Sequence, residues 1–368
     1  MMPANEGSEW PKRPVSRERE GTAQMSPASV LVVDDSMTMR ALIRHALSRD
    51  PDIRVVGEAA NPYEAREKMK ALDPDVVTLD VEMPNMNGIE FLEKIMTLRP
   101  TPVVMVSNLT APGAATTLAA LEIGAFDCIA KPSARENMFE SLPGLVKEAA
   151  RAKPGLVRRR SGHRPTRAER PDQAVSPVER SANGWPDLIT IGSSTGGVEA
   201  LMQVLAEFPR DCPPTLIVQH LPAAFTASFA ARLDRICPAS VSEAKDGDPL
   251  QRGRVYLAPG GERHMILRPG KTSITLVAEA PVSGHRPSVD MLFASVAKHF
   301  RGRSTGVILT GMGRDGAQGL LEMRQAGSQT FGQDEETSLV YGMPRVAYEI
   351  GAVEKRLPLS RVARQIFA

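Results

Sequence analysis

The sequence predicts an α/β protein made of two doubly wound parallel-sheet domains joined by a linker. Three observations predict it. Short apolar runs alternate with amphipathic helical stretches over 28–150, the same alternation returns over 186–368, and the segment between them has almost no large apolar residues. At 368 residues the chain is long enough for two separate cores.

Taken in order, residues 1–27 are charged and punctuated by Pro and Gly, the composition of a disordered N-terminal extension. A buried strand is expected at 30–33. Met39, Leu42, Ile43, Ala46 and Leu47 follow at helical spacing. Further strands are expected at 54–56, 76–79, 103–106 and 126–129, giving five β/α repeats and a doubly wound sheet over 28–150. Residues 151–185 read as a basic linker, with nine Lys/Arg against three Asp/Glu and four prolines. From Trp185 strands are expected at 188–191, 216–218, 255–258, 264–267, 274–277 and 307–309, with hairpin content around 255–278. Val198, Leu201, Met202, Leu205 and Phe208 form one face of a helix between the first two.

Composition excludes several classes. A net charge of +2 argues against nucleic acid as the main partner, and no aromatic residue interleaves the basic stretch 151–184. No run approaches the roughly 18 apolar residues of a membrane span, so the protein is expected not to be membrane-inserted. The N-terminus has no apolar signal core. Cys128, Cys212 and Cys237 are far apart and form no CxxC pair, which fits a reducing cytoplasm better than a disulfide framework.

The first domain carries an acidic set. Asp34-Asp35, Asp80, Ser107 and Lys131-Pro132 each fall at the end of a successive strand. In a doubly wound sheet those ends meet in one crevice. Three carboxylates there call for a cation, and their hard oxygens suit Mg²⁺. One carboxylate can then attack a phosphoryl donor, with Lys131 and Ser107 contacting the phosphate.

The stretches VLVVDDS, TLDVEMPNMNG, VVMVSN and IAKPS resemble the receiver domain of two-component response regulators, a flavodoxin-like fold. The resemblance implies Asp80 as the phospho-acceptor and a sensor histidine kinase as phosphoryl donor. It further implies Mg²⁺ on Asp34, Asp35 and Asp80 with the Glu82 carbonyl, and Ser107 and Lys131 as phosphate sensors. One departure is Cys128, which stands where receivers usually carry a switch aromatic.

The second domain carries a nucleophilic set. Gly192-Ser193-Ser194-Thr195-Gly196 has the G-x-S-x-G spacing between a strand and a helix, where a tight turn lifts the hydroxyl clear of the sheet. Taken alone, the turn serves equally well for a nucleophile or for simple packing. His220 directly follows the strand TLIVQ and is the expected base, with His285 as a rival. Asp315, after VILTGMGR, suits the orienting role better than Asp290, which opens a helical stretch. The loop from Gly311 to Gly316 fits GxGxxG, yet an Asp inside it would repel a pyrophosphate and too little chain follows to finish a dinucleotide half. Its glycines instead bring a backbone N–H, that of Met312, toward an oxyanion.

DLITIGSSTGG, LIVQHLP, SGHRPSVDMLF and VILTGMGRDGA resemble the catalytic domain of the chemotaxis response regulator protein-glutamate methylesterase family, a Rossmann-like α/β domain. This resemblance covers 186–365 and implies hydrolysis of glutamyl methyl esters on methyl-accepting chemotaxis receptors, with deamidation of receptor glutamines in some members. It implies Ser194 as nucleophile, His220 as base and Asp315 as its partner. Thr195 and Met312 would border the oxyanion, Arg286 would help bind substrate, and the esterase domain would need no cofactor. Arg314, a cation next to Asp315, has no assigned role.

Overall fold

The structure, a computed structural model, describes residues 26–83, 86–108, 111–131, 139–152, 184–270 and 272–368, and the side chains of 111–115 lie outside the description. The expected N-terminal extension and most of the linker, together with Pro132, lie outside the described residues. The chain divides into two compact units.

The first unit holds a parallel sheet in the order β2-β1-β3-β4-β5. Its strands are β1 (Ala28–Val33), β2 (Ile53–Ala59), β3 (Val76–Asp80), β4 (Val103–Ser107) and β5 (Asp127–Ala130). Every residue of β3 and β4 is buried, as expected for strands covered on both faces. β2 runs beyond the expected 54–56 because, as an edge strand, it accommodates Gly57 and Glu58 in half-exposed positions. β5 begins one residue later than expected. Side-chain caps set the helix starts: Ser36 before Met37–Ser48, Asn61 before Pro62–Leu72 and Asn87 before Gly88–Leu98. From β1 the chain moves first to β2 on one side and then to β3 on the other. The β1/β3 boundary is therefore the switch point at which open α/β sheets bind ligands.

The second unit holds a seven-stranded parallel sheet in the order β14-β13-β12-β6-β7-β9-β8. The strands are β6 (Leu188–Ser193), β7 (Thr215–Gln219), β8 (Ser240–Glu243), β9 (Arg254–Leu257), β12 (Ser304–Ile308), β13 (Gln329–Gln333) and β14 (Lys355–Leu357). A separate antiparallel pair joins β10 (His264–Leu267) to β11 (Ile274–Val277). The hairpin expectation holds for that pair only, since β9 enters the main sheet between β7 and β8. Val198, Leu201, Leu205 and Phe208 are buried as the helical period requires, and Met202 is half-buried. Helices Val289–His299 and Ala317–Gln325 add Leu292, Phe293, Val296, Leu320 and Met323 to the core beneath the sheet's centre. Among the described residues no helix is long and apolar enough to cross a membrane.

Candidate active site

In the second unit the switch point falls between β6 and β12, because the chain leaves β6 toward β7 and later returns to β12 on the other side. Ser194 lies one residue past β6 and His220 one past β7. Ser193 and Gln219 pair across the ladder, and the His220 N–H donates to the Ser193 carbonyl at 3.1 Å. On the β12 side the Ser194 N–H donates to the Thr310 carbonyl at 3.0 Å. Gly196 makes the turn possible with φ of +79°, a left-handed conformation that costs glycine little.

One buried side chain joins the two turns. The Gln219 amide donates to the carbonyls of Ser194 (2.9 Å) and His220 (3.2 Å), and its oxygen accepts from the Ser193 hydroxyl (2.6 Å). Gly197 leaves room for it, since a Cβ there would stand 2.0 Å from Gln219 Oε1. Thr310 does similar work opposite. Its hydroxyl donates to the Thr195 carbonyl at 3.0 Å and accepts from the Val340 N–H at 3.0 Å.

Asp315 reaches His220 from the loop after β12, with 2.9 Å between Asp315 Oδ2 and His220 Nε2. Its carboxylate also accepts from the Ser288 hydroxyl (2.7 Å) and from the N–H groups of Val289 (2.7 Å) and Asp290 (3.0 Å), at the positive end of helix Val289–His299. Burial pushes the Asp315 carboxyl up, but His220 and these donors outweigh it and bring it down to about 2. Asp290 is occupied elsewhere, accepting from the Gly319 N–H at 2.8 Å. Burial, joined by the charge of Asp315, raises Asp290 to about 6. Of the two carboxylates weighed from sequence, Asp315 is the one that meets the histidine.

The second ring nitrogen of His220, Nδ1, is buried and has no hydrogen-bond partner, so the Ser194 hydroxyl does not bond it in this structure. Catalytic hydrogen bonds of this kind often tighten only when substrate binds. His285, the rival weighed from sequence, lies directly beside His220. Its ring stacks on the His220 ring, with centroids 3.8 Å apart and planes 7° from parallel. Met312 is half-buried in a loop held by Gly342 and Met343, whose N–H groups both donate to the Gly311 carbonyl. Arg286 donates to the carbonyls of Gly261 (2.8 Å) and Glu279 (3.1 Å), and so braces its own segment.

The first unit gathers the acidic set at its own switch point. Ligand atoms of Asp34, Asp35 and Asp80 lie within 4.8 Å of one another. The Lys131 ammonium sits 3.0 Å from Asp34 Oδ2 and 2.9 Å from Asp80 Oδ1. Burial raises the Asp80 carboxyl to about 6, with Asp34 adding to the shift and Lys131 opposing it. Asp80 Oδ2 is buried without a hydrogen-bond partner. The Glu82 N–H donates to Asp80 Oδ1 at 3.3 Å, and the exposed Glu82 side chain accepts from Asn108 at 3.0 Å. Ser107 ends β4 and donates to the Asn108 carbonyl at 3.2 Å. Cys128 is buried in β5.

The sequence reading missed Gln219, Thr310 and Ser288. Ser288 carried a usable signal, a serine just before an apolar helical period. Gln219 and Thr310 looked only like polar ends of strands.

Strand order, acidic crevice and the Ser–His–Asp layout define a class: a response regulator whose receiver precedes an α/β unit built like a serine hydrolase. The family model for CheB methylesterase matches residues 189–366, and that for the response regulator receiver domain matches 30–143. The chain is 58% identical to the protein-glutamate methylesterase/protein-glutamine glutaminase 1 of Caulobacter vibrioides, across 93% of this chain and 98% of that protein. It is 56% identical to the protein-glutamate methylesterase/protein-glutamine glutaminase of Rhizobium etli, across 93% of this chain and 96% of that protein. The solved Thermotoga maritima CheB methylesterase catalytic domain is 34% identical and covers 49% of this chain and 97% of its own, with a TM-score of 0.47. With identity at this level over nearly its whole length, the chain belongs to the protein-glutamate methylesterase/protein-glutamine glutaminase family, the CheB methylesterases that carry a receiver domain.

Proposed function

We propose that this protein is a phosphorylation-activated protein-glutamate methylesterase, hydrolysing glutamyl methyl esters on methyl-accepting chemotaxis receptors and deamidating receptor glutamines. The carrying observation is the His220–Asp315 hydrogen bond beside the Ser194 turn, in a chain whose relatives bear those activities in their names.

The Ser194 hydroxyl attacks the ester carbonyl while His220 takes its proton at Nδ1, the nitrogen Asp315 leaves free. Backbone N–H groups of Thr195 and Met312 border the developing oxyanion. His220 then gives the proton to the departing methoxide, and methanol leaves an acyl-Ser194. Water, deprotonated by His220, releases the glutamate side chain and restores the hydroxyl. A glutamine follows the same course with ammonia as the leaving product. The Asp315 carboxylate stays ionised and holds the Nε2 proton throughout. Arg286, whose Nε and Nη1 hold the carbonyls of Gly261 and Glu279, has Nη2 to offer as a substrate-binding donor.

In the receiver, Asp80 accepts the phosphoryl group from a sensor histidine kinase, and Lys131 and Ser107 contact it afterwards. Asp34, Asp35, Asp80 and the Glu82 carbonyl would hold Mg²⁺. The fit rests on the close carboxylate cluster and on the unpartnered Asp80 Oδ2. Such an ion neutralises charge between the carboxylate and the incoming phosphoryl oxygens. We assign the receiver to 28–150, the linker to 151–185 and the catalytic domain to 186–368. Three free, buried cysteines fit a cytoplasmic setting.

The test is methanol release from methylated receptor membranes, with and without a small-molecule phosphoryl donor. The expected result is release that the donor accelerates. Release unaffected by the donor would remove the activation, and turnover of simple acetate esters with no release from receptors would remove the substrate.

A further inference from the structure

Residues 282–290 serve more than one purpose. Val282 and His285 exchange backbone hydrogen bonds of 3.1 and 2.9 Å around Ser283 (φ +53°) and Gly284 (φ +80°). Positive φ at both central positions makes this a tight two-residue hairpin turn. Arg286 anchors the turn from its far side, its guanidinium on the Gly261 and Glu279 carbonyls and its own carbonyl accepting from the Gly261 N–H at 3.3 Å. Ser288, Val289 and Asp290 then supply three of the donors that hold Asp315. One braced segment therefore holds the carboxylate at the edge of the His220 ring and lays a second imidazole flat on its face.

The face contact has a mechanical consequence. A ring held only by Nε2···Oδ2 can still swing about that bond, and each swing carries Nδ1 out of the plane that a bond to the Ser194 hydroxyl would require. A parallel ring at 3.8 Å removes that freedom. We propose that His285 is a positioning residue for ester hydrolysis, fixing the plane of the His220 ring so that Nδ1 stays aimed at the nucleophile. This rests on the reading of His220 as the base.

The charge state of His285 supports the assignment. Burial first, and then the neighbouring His220, bring its imidazole down to about 4, against a smaller opposing pull from Asp315. At neutral pH it is an uncharged plate that does not repel the imidazolium formed on His220 during attack. Its shape is then what the site needs from it.

The test compares His285→Phe, His285→Gln and His285→Ala in the full-length chain with phosphoryl donor, reading kcat and KM for methanol release and, in parallel, for a chromogenic acetate ester. Loss of the plate should lower kcat about 10- to 100-fold in the Ala and Gln variants, with KM within about twofold, since small misplacements of a catalytic group cost rates of that order. The Phe variant, which keeps a flat ring, should recover to within about threefold of wild type and keep the acid limb of its pH–rate profile. Wild-type kcat in the Gln variant would overturn the proposal. So would a Phe variant as slow as Gln, or one lacking the acid limb, because a ring nitrogen would then be the requirement. Should the Ala variant not fold, the Phe–Gln comparison decides alone. The chromogenic ester keeps this test independent of the receptor assignment, which fails separately if wild type turns over that ester but releases no methanol from receptors.

Discussion

His220 meets Asp315 through Nε2 at 2.9 Å, and its other nitrogen, Nδ1, lies buried without a hydrogen-bond partner. The carboxylate can only accept, so Nε2 carries a proton, and the neutral form of the ring is the Nε2–H tautomer. Nitrogen NMR of ¹⁵N-histidine-labelled protein should show that tautomer for the neutral His220 ring. Ser194→Ala should release no methanol while keeping the wild-type circular dichroism spectrum and thermal midpoint. Full activity in that variant would refute the nucleophile.

Asp315→Asn should lose both activity and stability. An amide offers one acceptor where Asp315 uses two oxygens to take four hydrogen bonds. Activity should fall by about 10³-fold or more, as expected when a base loses the carboxylate that fixes its tautomer. Leaving buried donors unpaired should cost about 1–3 kcal/mol in urea unfolding. The Asp315 carboxyl is held below its ordinary value, so its stabilisation is complete above that value and is lost as pH falls through about 2. The gap between wild type and variant should therefore narrow between about pH 4 and pH 2.

Asp80→Asn should stabilise the metal-free receiver while abolishing phosphorylation. The Asp80 carboxyl is raised to about 6, so its charged form is disfavoured in the folded unit. Stability then declines as pH rises through that value. Calorimetry without Mg²⁺ should show a higher midpoint for the variant's receiver transition above about pH 6, shrinking toward the ordinary carboxylate range. Adding Mg²⁺ should raise the wild-type midpoint more than the variant's. An equal rise in both would count against Asp80 as a ligand.

Gln219→Leu should slow catalysis without touching substrate. Its amide is the shared donor to the Ser194 and His220 carbonyls. Without it the two turns lose their common tie, and buried groups left unpaired should cost about 1–3 kcal/mol. The expected signature is a kcat loss larger than any change in KM, read by methanol release. A kcat equal to wild type would show that ladder pairing alone keeps the turns in register.

The legible parts of the fold were those with strong periodicity. β1, β3, β4, β6 and β7 are continuous apolar runs and were read close to their observed bounds. β8, β13 and β14 were not read at all, because SVSE, QTFGQ and KRL look like loop sequence. β13 is nevertheless mostly buried. Its Gln333 is satisfied there by accepting from the Thr310 N–H and donating to the Thr337 carbonyl, both at 2.8 Å. Ser194, His220 and Asp315 were visible because each follows a recognisable strand. The hold of Gln219 on two turns depends on the β6/β7 register, and the stacking of His285 depends on where a hairpin turn lands. Neither leaves a mark at fixed sequence spacing.

The order β12-β6-β7 has a temporal consequence. The chain reaches the Ser194 turn and the His220 turn well before Asp315, because β12, which lies between β6 and β13 in the sheet, follows β7, β8 and β9 in the sequence. A ribosome-bound chain ending short of residue 315 therefore carries the hydroxyl and the imidazole without the carboxylate that holds Nε2, and its turnover of esters should be far below that of the full chain. Turnover thus doubles as a readout of completed folding, and hydrolytic competence should arrive in one late step during synthesis rather than by degrees.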